Sequence, residues 1–423
     1  MKRVLPARPS LVQLKHQAKD LRLLAREGAS DALATLRRLR RLSALSDEAI
    51  AVEPISLSEA QFALALDYGF RSFSELKAHV ETARSALAGA TAVQRSDGRV
   101  IITGFETARW GGGTRRLCSS IATLAIVSER SGDDTDYDYL MGASGAAFRV
   151  QMSEGLLCPS SPHATCGFNC AELAVRAWGN EVTYFPTDDA HEAERARARE
   201  AIASSVDQGV PVLYEHEESA LIVGYTDDAL LVRSYAARAP GYQVMEKWPW
   251  RVGLASPKAR RPEPNAVLED SLRLATQLFG TAKVGRYTCG RHAYEHWCAL
   301  LNDERAFEEK TDQEWFSAAL GNAHTLESLA DARGAAANYL TSMAPHAPLA
   351  ARSALLDAAA EYGEIERTVR RQRAALAPFP WELPSVRDWS SEARRAERDA
   401  LAMTAVADGK AIALLQAALS TKA

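Results

Sequence analysis

Cys118 stands in TRRLCSSIATL (114–124), at the head of an apolar run with helical spacing. A thiol at a helix N-terminus lies near unpaired backbone N–H groups and the positive end of the helix dipole. Both favour the thiolate, which is the nucleophilic form. Just upstream, Trp110-Gly-Gly-Gly113 would let the amides of Gly112 and Gly113 approach a developing oxyanion. The competing reading is a small buried thiol, because free cysteine is among the most buried residue types. A second group, Cys158, His163, Cys166 and Cys170, places three thiols and an imidazole within thirteen residues. Such a set suits tetrahedral zinc, but C-x4-H-x2-C-x3-C matches no common zinc ribbon. Buried or unpaired thiols are therefore expected there, with no metal or other cofactor. MGASGAAF (141–148) reads as a tight loop rather than a phosphate cradle, since no lysine follows it. Its Ser144, with Gly112, Gly113, Tyr294 and Trp297, is a candidate for substrate contact. The aromatics among these read equally well as core.

These residues must be positioned by a chain of 423 residues, long enough for two or three domains. Hydrophobic residues make up 47% and charged residues 25%, the balance of a soluble globular protein, and the net charge of −4 gives no bias toward nucleic acid or anionic membrane. The N-terminus lacks the apolar run of a signal peptide, no eighteen apolar residues run together, and six cysteines are too dilute for a disulfide framework. A cytoplasmic protein with reduced thiols is expected. Residues 1–90 read as a helical module with start signals at Ser10–Gln13, Ser56–Glu59 and Ser72–Glu75, and a stop at Gly69. LRRLRRL (36–42) suggests a basic stripe on a helix, either solvated or anion-binding. Residues 91–257 combine an apolar helix at 118–130 and an amphipathic one at 193–209 with short β-rich runs, VPVLYEH, SALIVGY and ALLVRSY. A helix followed by a strand meander predicts an α+β domain with the helix packed on an antiparallel sheet. Residues 258–423 read as helix throughout, broken only by the prolines of PFPWELPSVRDW (378–389).

LPARPSLVQLKHQAKDLRLL with LSEAQFALALDYGFRSFSELKAHVE resembles the helical segment that precedes ankyrin repeats in many bacterial proteins. No ankyrin signature follows, so a packing or protein-partner role is expected for it. Cys118 with its helix, DYDYLMGASGAAFRV (136–150), LLCPSSP (156–162) and ESALIVGYTDD (218–228) resemble a bacterial papain-fold family. That family is related to the N-terminal domain of the butirosin-biosynthesis acyltransferase and, more distantly, to bacteriocin-processing cysteine peptidases. GRHAYEHWCALLNDE (290–304) resembles its G-x-x-A-Y-x-x-W segment. The resemblance implies a papain-like fold and acyl chemistry at Cys118, on an amide or thioester of a small-molecule, acyl-carrier or peptide substrate. It also implies a histidine where Glu218 stands, a carboxylate or amide near Arg233-Ser234-Tyr235, and a side-chain amide where Gly112 stands. All three are absent. His216, two residues before Glu218, would share its face on an extended strand and so could serve as the base. His292 and His296, four apart on a helix, are further candidates. An inactive papain-fold binding or scaffold protein is the alternative function.

Overall fold

A computed structural model describes residues 11–88, 91–133, 135–235, 237–257 and 262–421, and the chain divides into two compact units, Met1–Ala90 and Thr91–Ala423. The smaller unit holds five helices: α1 (Leu11–Arg26), α2 (Ser30–Leu36), α3 (Asp47–Val52), α4 (Leu57–Asp67) and α5 (Phe73–Ala88). Its core includes Leu14, Ala18 and Leu21, which recur at helical spacing along α1. The Ser56–Glu59 capping box is complete: Ser56 Oγ accepts from the Glu59 amide and the Glu59 carboxylate accepts from the Ser56 amide. Ser72 Oγ likewise accepts from the Glu75 amide, but the Glu75 carboxylate reaches back to the Arg71 amide instead. Ser10, the third start signal, lies outside the described residues. LRRLRRL does not form the expected helix. α2 ends at Leu36, and the chain beyond it turns so that Leu36, Leu39 and Leu42 are buried. Three of its four arginines are committed to carboxylates: Arg37 to Asp47, Arg38 to Asp67, and Arg41 to Glu53 and Glu59. That pairing takes three of the four cations a free anion-binding stripe would need.

The larger unit is α+β. One sheet orders its strands β1-β2-β6-β5-β9-β4, with β7 also paired to β6 and β8 to β7. Their ranges are β1 (Val93–Ser96), β2 (Arg99–Ile102), β4 (Asn180–Pro186), β5 (Val212–Glu215), β6 (Ala220–Thr226), β7 (Leu230–Arg233), β8 (Gln243–Val244) and β9 (Arg251–Pro257). Every pairing is antiparallel. β6 is buried without alternation over Ala220–Val223, as a strand covered on both faces must be. Helices α6 (Ser119–Arg130) and α9 (Arg195–Asp207) pack on this sheet, while α7 (Tyr137–Ala143) and α8 (Cys170–Trp178) pack against α6. The glycine of IVGY, Gly224, lies where the β6–β7 register shifts, and a Cβ there would collide with the carbonyl of Val100 on β2.

The expected boundary at 257/258 is not a break, because residues 91–257 and the C-terminal region share one hydrophobic core. That region comprises α10 (Pro264–Gly280), α11 (Gly290–Asn302), α12 (Glu304–Glu308), α13 (Asp312–Met343), α14 (Leu349–Leu376) and α15 (Ser391–Ser420). Nor is it helical throughout. Strands β10 (Lys283–Val284) and β11 (Tyr287–Cys289) form a hairpin that extends to β3 (Gln151–Ser153) as a second antiparallel sheet. The PFPWELPSVRDW break forms two short 3-10 turns, Pro380–Glu382 and Val386–Asp388. Gly142 of MGASGAAF meets the ring of Tyr339 on α13 so closely that any Cβ would overlap it. α15 is long and apolar enough to cross a membrane by length and composition, yet it packs on α10, α11 and α14 and buries Arg394, Glu397 and Asp408. Asp408 pairs with the fully buried Arg333 of α13 (Nε to Oδ1 3.0 Å) and accepts from Tyr294 of α11 at 3.0 Å. Arg333 also donates to the carbonyls of Ala147 and Arg149. Asp408→Ala would strand a guanidinium inside the core, so a loss of about 3–5 kcal/mol is expected in chemical denaturation. Tyr294→Phe, which removes one donor to the carboxylate and leaves the ion pair in place, should cost less, about 1.5–3 kcal/mol.

Candidate active site

Cys118 is the N-cap residue of α6, and its neighbours in sequence hold the opposite wall in place. Ser119 Oγ accepts from the Ser219 amide at 3.0 Å, Ser120 and Ser219 hydroxyls meet at 3.0 Å, and Trp110 Nε1 donates to the Ser219 carbonyl at 3.1 Å. Ser119 also hydrogen-bonds Glu218. The bend between β5 and β6, which carries Glu217 and Glu218, is thereby latched to the start of the cysteine helix. Behind Cys118 lies a third element. Asp331 of α13 accepts from the Leu117 amide (3.1 Å) and from Tyr137 Oη (2.6 Å), and that hydroxyl accepts from the Cys118 amide (3.1 Å).

These elements enclose a cavity of about 950 Å³. Cys118, Glu218, Gly112 and Gly113 line it, as do Tyr235, Arg149 and Gln151. So do His163, Cys158 and Cys166 of the loop after β3. One face of α13 contributes Leu320, His324, Glu327, Ser328 and Asp331. At its rim stand the half-exposed Trp250 and the exposed Trp381, the latter stacked on Phe379 at 4.6 Å.

Burial dominates the electrostatics. It pushes the Cys118 thiol up to about 12, outweighing the Ile121 amide and the Arg149 guanidinium, which act in the opposite direction. The thiolate expected from the helix N-terminus is therefore not the resting form: desolvation of the sulfur outweighs the dipole. Burial also lifts Glu218 to about 7 against its hydrogen bond from Ser119, and Asp331 to about 6 against the Tyr137 and Leu117 donors. Tyr235 is raised as well, first by burial and then by Glu218, Glu327, Cys118 and Asp331, which all bear on it.

The other residues singled out from the sequence fall elsewhere. His216 stacks on Trp250 at 4.8 Å and does not line the cavity. β5 stops at Glu215 and residues 216–218 bend, so the two-residue alternation that would have placed His216 beside Glu218 does not operate. His292 contacts Glu295 on the helix surface, and His296 meets the Ser153 carbonyl. Ser144 is fully buried and caps its own turn through the Met141 carbonyl. Tyr294 and Trp297 are core residues bonded to Asp408 and to Asn322 Oδ1 (2.7 Å). Substrate contact is thus corrected for Ser144, Tyr294 and Trp297, whose polar atoms are spent inside the fold. All six cysteines are unpaired, and among the described residues no three histidine, cysteine or acidic side chains gather as a metal site. His324, Glu327 and Asp331 were not singled out. Their only sequence signal is the spacing of polar side chains along one face of an apolar helix. No family model matches the chain, and no curated protein gives a significant match.

Two outcomes are expected. In the resting protein Cys118 should react with iodoacetamide at pH 8 at least about a hundredfold more slowly than free cysteine, because so little thiolate is present. Mass spectrometry of the labelled peptide measures this. Tyr137→Phe, which leaves the Cys118 amide and Asp331 each short of a partner, should cost about 1–3 kcal/mol in chemical denaturation.

Proposed function

We propose that this chain is a cysteine-dependent acyl-transfer enzyme, an amide or thioester hydrolase or an acyltransferase, built on a papain-like α+β unit. The observation that carries the reading is the latch between Ser119 and Ser219, which holds Cys118 and Glu218 on the wall of one cavity. Glu218, lifted to about 7, has the basicity of a useful proton carrier at neutral pH. In this mechanism Cys118 attacks the acyl carbon as a neutral thiol while its proton passes to the Glu218 carboxylate. The S–C bond forms, the C–N or C–S bond of the donor breaks, and Glu218 returns the proton to the departing amine or thiol. Water or an amine then takes the acyl group by the reverse sequence. Gly112 and Gly113, exposed residues on the cavity wall, would offer their amides to the oxyanion. Trp250 and Trp381 frame the entrance for a small-molecule, carrier-borne or peptide acyl donor. A cytoplasmic setting agrees with six unpaired thiols.

A binding or scaffold role for the same cavity is the second reading. Two observations favour it: the elevated thiol, and the commitment of the Cys118 amide to Tyr137. p-Nitrophenyl acetate separates the two. Acyl transfer predicts a stoichiometric burst of nitrophenol and an acetyl adduct on Cys118, lost in Cys118→Ala. Because Glu218 must be ionised to accept the proton, the acylation rate should rise as pH passes about 7 and fall below it. Glu218→Gln should slow acylation by about 10²–10⁴-fold and remove that pH dependence. A cavity with no burst and no adduct belongs to the binding reading.

A further inference from the structure

Arg149 is buried, and its terminal nitrogens are held by four backbone carbonyls, those of Cys166 (3.1 Å), Phe168 (2.6 Å), Pro162 (2.7 Å) and His163 (2.8 Å). Carbonyls satisfy N–H groups without supplying a counter-charge, and no carboxylate pairs with this guanidinium among the described residues. A buried cation left without an anion is costly, so the site favours one.

His163, on the loop that Arg149 organises, adds a directed donor. Its Nδ1 lies 2.9 Å from Thr165 Oγ1, which can either donate or accept, and 3.3 Å from the Thr165 amide, which can only donate. Burial and the neighbouring Arg149 hold the ring neutral, down to about 4. The proton of the neutral ring is therefore on Nε2. That Nε2–H is buried and has no acceptor, although His163 lines the cavity. His324 from α13 lines the same cavity, lies close enough to depress His163 further, and makes no hydrogen bond of its own among the described residues. The other orphan here, Gln151 Oε1, is turned against Gly167, where a Cβ would collide with it. Three nitrogen groups thus converge on one part of the cavity, with a charge lacking a counter-ion and a donor lacking an acceptor.

We propose that the part of the cavity walled by Arg149, His163 and His324 binds a carboxylate, so that the ligand presented to Cys118 is a carboxylic-acid-bearing small molecule. This deepens the acyl-transfer reading and rests on it only in calling that ligand a substrate.

N-acetylglycine and its neutral counterpart N-acetylglycinamide test it by isothermal titration of the full chain. The acid should bind saturably and the amide about tenfold more weakly. His163→Leu should erase the difference while keeping the thermal midpoint, and His163→Gln, which retains an N–H donor, should restore part of it. Cys118→Ala should bind the acid as the parent does. Equal binding of acid and amide, binding of neither, or discrimination that survives His163→Leu would each overturn the proposal. Selective acid binding by a protein that forms no acyl adduct would remove the acyl-transfer reading and leave the carboxylate site standing.

Discussion

The carboxylate of Asp331 is the constraint on which the cysteine's placement depends. It comes from α13, more than two hundred residues along the chain, yet it fixes the Leu117 amide directly and the Cys118 amide through Tyr137. A helix N-terminus has unpaired amides that water or a side chain must satisfy. Here Asp331 of α13 accepts from the Leu117 amide and holds Tyr137 of α7, which accepts from the Cys118 amide, so the C-terminal helices are part of the cysteine's own support. The buried Arg333–Asp408 pair two residues further along α13 anchors the same helix to α15 and to the carbonyls of Ala147 and Arg149. The two polar networks explain why no domain boundary falls at 257/258: dividing the chain there would part Asp331 from the Leu117 amide and Tyr137, and Arg333 from the carbonyls of Ala147 and Arg149.

Desolvation by the surrounding core acts in one direction on the acids nearest the cysteine helix. It raises the thiol, Glu218 and Asp331 together and lowers both imidazoles. The result is a set of groups near neutrality rather than an ion pair. A resting Cys118 thiolate together with an ionised Glu218 would put two negative charges on the wall of one cavity. A neutral thiol opposite a carboxyl lifted to about 7 avoids that cost. It also protects the sulfur, since oxidation proceeds through the thiolate.

Local signals in the sequence were readable where the structure they specify is itself local. The Ser56–Glu59 capping box, the start of α6 beside Cys118 and the β5–β6–β7 meander all follow from residues within a few positions of one another. The candidate site was only half legible for the same reason. Cys118, Gly112, Gly113 and Glu218 lie on the wall, but His324, Glu327 and Asp331 reach it only because α13 folds back across the unit. Residues that mark a family-like segment turned out to serve packing: Gly142 admits the Tyr339 ring, and Trp297 bonds Asn322. LRRLRRL misled because charge on a sequence says nothing of its partners, and Asp47, Glu53, Glu59 and Asp67 were waiting within the same small unit.

The hydrogen bond of the Cys118 amide is one of the two observations that favour the binding reading, and its energetics can be weighed. The Cys118 amide donates to a phenolic oxygen whose own proton is committed to Asp331. The bond to the carboxylate is charge-assisted and the bond from the amide is neutral, so the amide bond is the weaker, at about 1 kcal/mol. An oxyanion forming at the acyl carbon beside Sγ would be a stronger acceptor than the phenol, and the amide could exchange one for the other while Tyr137 stays bound to Asp331. The exchange would be favourable only in the transition state, when the negative charge exists. An amide engaged at rest is therefore compatible with stabilising the intermediate, and the occupied position does not by itself retire the site.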